Sequence, residues 1–377
     1  MIDLARNGYT SAEIKSALHG AKGTRSVSFR YELLDKNNNF KMELFNVKDA
    51  SIDYGVFNDI RRTAKFDIQD LSAVPINYYS DRIRPIMVLD MPAMNGKSKG
   101  KVEFPLGIFI LASPERADTD EGIVRSIDAY DLSLILKEDR VEDMYTITAG
   151  TNYKTAMIAV LTSAGITNYS IEDTDKTVSR DIQFEAGTPK YDILNQLTTN
   201  INFIPVIVDV NGTFTSRPYL LPQVRPVDYL YDDSELSIIM KGVSEELDTF
   251  GIPNRWIVVR TNSEEEPLRS VYTNTNPLSP TSTVNRGRII VDYRELEDIA
   301  DQAALDAHAK RVAENASQVF GKSRFVTALM PMHDYNDIIH LKYSRLGIND
   351  KFTETAWTMQ LEAGGTMSHE IRKVVNV

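Results

Sequence analysis

The sequence predicts a mainly β protein with α+β parts, in which two β units flank a small α/β module. Three observations carry this prediction. Apolar and polar residues alternate through residues 58 to 136 and again after Tyr229, the period of half-buried strands. Turn chemistry such as Asn95-Gly96, Asn211-Gly212 and Gly364-Gly365 breaks the alternating runs at hairpin intervals. Between the two β stretches the spacing becomes helical, with Gly and Pro as stops.

The chain opens on a short helix. Thr10 and Glu13 have capping-box spacing, Ile14 and Leu18 share a face, and Gly20 stands where a helix ends. So short a helix is marginal alone, so residues 1–24 are expected as an arm docked on this chain or on a neighbour. Its removal is expected to impair assembly and leave the fold intact. Ser26 to Leu34 and Phe40 to Phe45 form a hairpin around the tip Asp35 to Asn39. Thr63 to Gln69 sets Ala64, Phe66 and Ile68 against Lys65, Asp67 and Gln69. Strands at Asp81 to Leu89, Val102 to Ile110 and Ile123 to Ala129 follow, and Asp131 N-caps a brief helix near Leu136. Residues 25–145 thus make a first β domain.

Thr151 to Gly165 is predicted helical. A second helix starts with Thr188 as N-cap and Pro189 at its first position, burying Ile193, Leu194 and Leu197. With the hairpin Val206 to Pro218 it completes an α/β module over residues 146–224. The second β domain, residues 225–377, has strands at Trp256 to Arg260, Val271-Tyr272, Arg288 to Tyr293, Ser323 to Met330, Ile338 to Tyr343, Thr355 to Leu361 and His369 to Val377. Its long helix, Asp298 to Phe320, presents Leu305, Ala309, Val312, Ala313, Ala316 and Phe320 as one stripe. The polar stretch Asn274 to Thr283 has no period and is expected as an interface loop.

Composition narrows the function. At 377 residues there is room for two or three domains, and 42% hydrophobic with 25% charged residues describes a chain that folds throughout. The absence of cysteine excludes disulfides and thiolate chemistry. No apolar run reaches the roughly 20 residues of a membrane span, and Met1 to Gly20 lacks a secretory core. The expectation is a protein assembled in a cytoplasm without membrane insertion. A net charge of −11 opposes gripping nucleic acid by its phosphates, yet allows DNA to pass without capture.

Candidate chemistry is sparse. No Gly-x-Ser-x-Gly elbow occurs. The histidines at 19, 308, 333, 340 and 369 are scattered, and His333 and His340 stand seven apart, unlike a helical zinc motif. Glu245-Glu246 and Glu264-Glu265-Glu266 are charge runs of solvated loops rather than the paired acids of a glycosidase. Trp256 and Trp357 lie in strand patterns and are expected in the core. No enzyme, and no catalytic, cofactor or metal residue, is expected.

One run of motifs carries a family resemblance. Asn77-Tyr78-Tyr79-Ser80-Asp81-Arg82-Ile83-Arg84-Pro85 is followed by Tyr130-Asp131-Leu132, Ala149-Gly150-Thr151, Ala186-Gly187-Thr188, Pro253-Asn254, Asn276 to Ser282 and Met330-Pro331-Met332-His333. In that order they resemble the tail hub, or baseplate hub, proteins of tailed bacteriophages and contractile injection systems (minor tail or late-control D-like proteins). The resemblance implies two tail-tube-like β-barrel domains per chain. It also implies a homotrimer forming a pseudo-hexameric ring that joins the tail tube to the tip or spike, with a channel for DNA ejection. A distal tail protein or tube ring would sit above, a tip, spike or tail fibre protein below, and a tape measure protein in the channel. The location implied is the virion tail tip, after assembly in the host bacterial cytoplasm. Some hubs carry a fused wall-degrading domain; with the chain running to Val377 directly after its last strand, such a domain is expected to be absent. The alternative is a tail protein that binds cell-wall carbohydrate or degrades peptidoglycan. Within the resemblance, Asp81 to Leu89 is the first place expected for contacts between subunits.

Overall fold

The computed structural model describes residues 1–21, 23–71, 74–120, 122–247, 251–261, 267–318 and 321–375. Phe320, Val377 and the run Glu264 to Glu266 lie outside them.

The helix α1 (Ser11–Leu18) has both halves of its capping box between Thr10 and Glu13. The first β stretch comprises β1 (Val27–Leu34), β2 (Phe40–Leu44), β3 (Val47–Gly55), β4 (Arg62–Gln69), β5 (Arg82–Met91), β6 (Gly100–Pro105), β7 (Phe109–Thr119) and β8 (Gly122–Asp131). It ends on α2 (Ser133–Glu138), where the Asp131 carboxylate accepts from the Ser133 N–H at 2.8 Å and the Arg62 N–H at 3.1 Å. Asp131 thus serves this helix from one residue before its N-cap, Leu132.

Around a separate apolar centre lie β9 (Tyr145–Ile147), α3 (Tyr153–Ser163), β10 (Tyr169–Ile171), β11 (Ile182–Phe184), α4 (Lys190–Asn200), β12 (Ile207–Val208) and β13 (Phe214–Ser216). Tyr153, Met157 and Leu161 of α3 meet Ile193, Leu194 and Leu197 of α4 there. α4 begins one residue later than its spacing suggests: Pro189 is the N-cap, and the Thr188 hydroxyl donates back to the Glu185 carbonyl.

The remaining elements are β14 (Tyr229–Asp232), β15 (Ser244–Leu247), β16 (Arg255–Arg260), β17 (Arg269–Thr273), α5 (Thr283–Arg286), β18 (Val291–Leu296), α6 (Gln302–Ser317), β19 (Gly321–Ala328), β20 (Ile338–Tyr343), β21 (Ile348–Gln360) and β22 (Thr366–Lys373). α6 is capped by Asp301 and lies on the sheet β17-β16-β18, burying Trp256, Val258, Leu305, Ala309 and Ala313.

The mainly β class with α+β parts is what the chain has. No closed barrel is found among the described residues. Among the described residues one sheet of 14 strands follows the path β15-β19-β22-β21-β3-β4-β8-β7-β5-β1-β2, with β6 beside β5 and with β20, itself paired to β14, beside β21. The two β stretches are welded where β21 pairs with β3, from Ala356 opposite Gly55 to Gln360 opposite Ser51. β21 is 13 residues long, enough to hold two partners along one edge. Its first half takes β20 and its second half takes β3, and the switch falls at a bulge between Glu354 and Ala356. The bulge adds one residue, so Glu354 and Trp357 both face inward, which an unbroken strand would forbid at a spacing of three.

Under this sheet lies one core, to which both β stretches and the arm contribute: Ile52, Phe66, Met87, Tyr231, Phe325 and Phe352, with Ile14 and Leu18. The arm therefore docks on its own chain. Two further expectations concern contacts between subunits. β5 is paired by β1 on one edge and by β6 and β7 on the other, so its backbone is not free to join another subunit. The Asn274 to Thr283 stretch is partly internal: Asn274, Thr281 and Ser282 are fully buried, and the Asn274 amide donates to the Ser279 hydroxyl at 2.9 Å. Thr275, Pro277, Leu278 and Pro280 are exposed, Leu278 at 88%, as an interface loop would be.

Candidate functional site

The face of the shared sheet opposite the core is polar between β3 and β7. Strand alternation sends Phe66 and Ile68 of β4 inward, so Lys65 and Asp67 point out. Register then aligns outward residues in rows. Asp49 of β3 lies opposite Asp67, Asp67 opposite Ser126 of β8, and Ser126 opposite Glu115 of β7. A second row runs from Ser51 through Lys65 to Asp128. These residues line a shallow depression in which four carboxylates face a single ammonium. Lys65 reaches Asp128 only at 4.0 Å, and Ser126 donates to Asp67 at 2.6 Å. Across the weld the surface continues through Thr358, which donates to Asp53 at 2.6 Å.

The opposite face holds a polar cluster that sequence spacing did not reveal. His369 of β22 is paired with Trp357, and the bulge turns Glu354 toward it. His333 enters from the loop before β20. Glu354 Oε1 lies 2.6 Å from His369 Nδ1, and Oε2 lies 2.5 Å from His333 Nδ1, a contact not aligned as a hydrogen bond. His333 Nε2 meets the Tyr231 hydroxyl at 2.6 Å, His369 Nε2 meets the Thr327 hydroxyl at 2.9 Å, and Asp337 Oδ2 is 3.6 Å from His333 Nδ1. All three cluster residues are buried. Burial disfavours the charged His333 ring, but the Glu354 and Asp337 carboxylates more than offset it and raise its pKa to about 9. Burial opposes ionisation of Glu354 as well, yet His333 holds it at about 2. His369, where burial dominates, is lowered. The alternation Met367, His369, Ile371 was the one sequence signal available, a histidine at a core-facing position.

The other titratable candidates stay apart. His19 contacts the Leu236 carbonyl and the Tyr229 hydroxyl, His340 contacts Asn349, and burial lowers His308 on α6 to about 4. Glu245 and Glu246 are exposed on the edge strand β15. Trp256 and Trp357 are buried, with Trp357 stacked on Tyr54 at 5.2 Å. On α6, burial raises the Glu314 carboxyl to about 7, with Lys310 too weakly opposed to prevent it. A raised acid binds its proton more tightly when folded, so stability falls as pH climbs from about 4.5 toward 7. Glu314→Gln is therefore expected to stabilise the protein by about 2 kcal/mol at pH 8 and by almost nothing at pH 4.5. Thermal melts at the two pH values check this, and an equal gain at both would refute it.

No protein-family model matches this chain, and no curated protein does. Solved structures do. A tail protein from Neisseria meningitidis superimposes with a TM-score of 0.65 at 12% identity, over 92% of this chain and 96% of that one. This chain has the tail-protein fold. The 43 kDa tail protein of prophage MuSo2 from Shewanella oneidensis gives 0.62 at 9% identity, over 92% and 98%. Prophage tail protein gp18 from Listeria monocytogenes gives 0.57 at 13%, over 91% and 94%. Identity this low speaks for fold, and at that level the resemblance carried by residues 77–85 and the later motifs holds.

Proposed function

We propose that this protein is a structural, non-enzymatic hub of a phage or phage-like tail. Three copies form a ring whose six β halves meet a sixfold tail tube on one side and a threefold tip on the other. The observation that carries the reading is the single sheet through both β stretches, one face over the core and the other polar, solvated and acidic between β3 and β7. Closed rings are the usual product of head-to-tail contacts between identical subunits. A channel wall with Asp49, Asp67, Glu115 and Asp128 repels phosphates and lets DNA slide without capture. The partners are a distal tail protein or tube ring above, a tip, spike or tail fibre protein below, and a tape measure protein within. The site of action is the virion tail.

Mass photometry and negative-stain imaging of purified protein test this. The expected result is a trimer with a central hole; a monomer at all concentrations that hydrolyses peptidoglycan would overturn it. Replacing the four acids together by lysine is expected to preserve the ring and to slow DNA ejection from assembled particles at least tenfold. Ejection at the original rate would remove the acidic face from the channel.

A further inference from the structure

We propose that His333, Glu354 and His369 bind a divalent transition metal of the zinc class. The inference stands independently of the tail reading and begins with hydrogen positions. The Thr327 hydroxyl donates to the Ala328 carbonyl at 2.8 Å, so toward His369 Nε2 it accepts, and that nitrogen carries the hydrogen. In the neutral ring, Nδ1 is then bare, and it faces Glu354 Oε1 at 2.6 Å. A nitrogen lone pair and a carboxylate at that distance are held together by a shared proton or by a metal cation.

The second ring faces the same carboxylate. His333 turns Nδ1 to the other oxygen of Glu354, at 2.5 Å and out of line for a hydrogen bond, while Nε2 meets the Tyr231 hydroxyl. Each imidazole thus aims Nδ1 at one oxygen of the same carboxylate and anchors Nε2 on a hydroxyl, as ligating histidines do when an outer partner fixes their orientation. Asp337 Oδ2 stands farther off, 3.6 Å from His333 Nδ1, and its Oδ1 lies 2.5 Å from the Met1 nitrogen. Two imidazoles and one carboxylate are a borderline donor set suited to zinc. Bonds of about 2.0–2.2 Å in a tetrahedron separate ligand atoms by about 3.4 Å. The present contacts would open by about 0.8 Å, a change that side-chain torsions supply. The metal would take the place of protons shared between Glu354 and the rings. It would tie β21, β22 and the loop before β20 together in a chain without cysteine.

The test uses the full chain, stripped with a chelator and titrated separately with zinc(II) and cobalt(II). The expected result is about one metal per chain, a four-coordinate cobalt(II) visible spectrum, and a Tm rise of about 5 °C. Uptake should survive His340→Ala and be lost in His369→Ala. X-ray absorption on wild-type protein should count two imidazole nitrogens, which keeps the proposal falsifiable if His369→Ala does not fold. No uptake by wild type, uptake abolished by His340→Ala, or fewer than two imidazoles would overturn it.

Discussion

Thr358→Pro is expected to lower Tm by roughly 6–9 °C, whereas Thr358→Val costs only about 2 °C. Thr358 lies in the half of β21 that pairs on both edges, opposite Ser368 of β22 and Asp53 of β3. Its side chain is on the solvated face, so the core is untouched by either change. Proline removes one ladder hydrogen bond and its ring clashes with the neighbouring strand, a cost of about 3 kcal/mol or more. Valine removes only the hydroxyl contact with Asp53, about 1 kcal/mol. If the two variants melt together, the weld between the β stretches contributes nothing to stability, and the halves are independent domains.

Deleting residues 1–20 is expected to leave a protein that is insoluble or melts at least about 10 °C lower. Ile14 and Leu18 are fully buried in the core that both β stretches share, and truncating either to alanine costs about 3 kcal/mol. The arm is also tied by polar contacts. The Glu13 carboxylate accepts from Lys97 at 2.7 Å and from the Asn95 amide at 2.9 Å, across the β5–β6 hairpin tip. Soluble yield, near-UV circular dichroism and thermal melts measure the outcome. A deletion variant with native Tm that fails only to assemble would restore the arm to a purely intermolecular role.

Much of the architecture was legible because it is local. The Thr10–Glu13 capping box, the alternation in β4, and the helices α3 and α6 each follow from contacts within a few residues, and each formed about where spacing put it. The partner switch in β21 was not legible, since its pairing with β3 joins residues some 300 positions apart in the chain. β5 could not be seen as a central strand because its partner on one edge, β1, stands well upstream, with Leu34 opposite Arg82 and Val27 opposite Leu89. In the Asn274 to Thr283 stretch the internal hydrogen bonds were not legible, because polar residues without a period describe a solvated loop and a hydrogen-bonded one equally well; Asn274 bonds to Ser279 and Asn276 within the same stretch.

The acidic face and the His333–Glu354–His369 cluster divide along the same line. Acidity, lack of cysteine, and which residues of each strand share a side are properties of composition and of period two, so they were determined by sequence alone. Which carboxylates align into one wall, and which histidines meet one glutamate, depends on register between distant strands. Only tertiary pairing decides that, because a one-residue slip or a single bulge moves a side chain to the opposite face of the sheet.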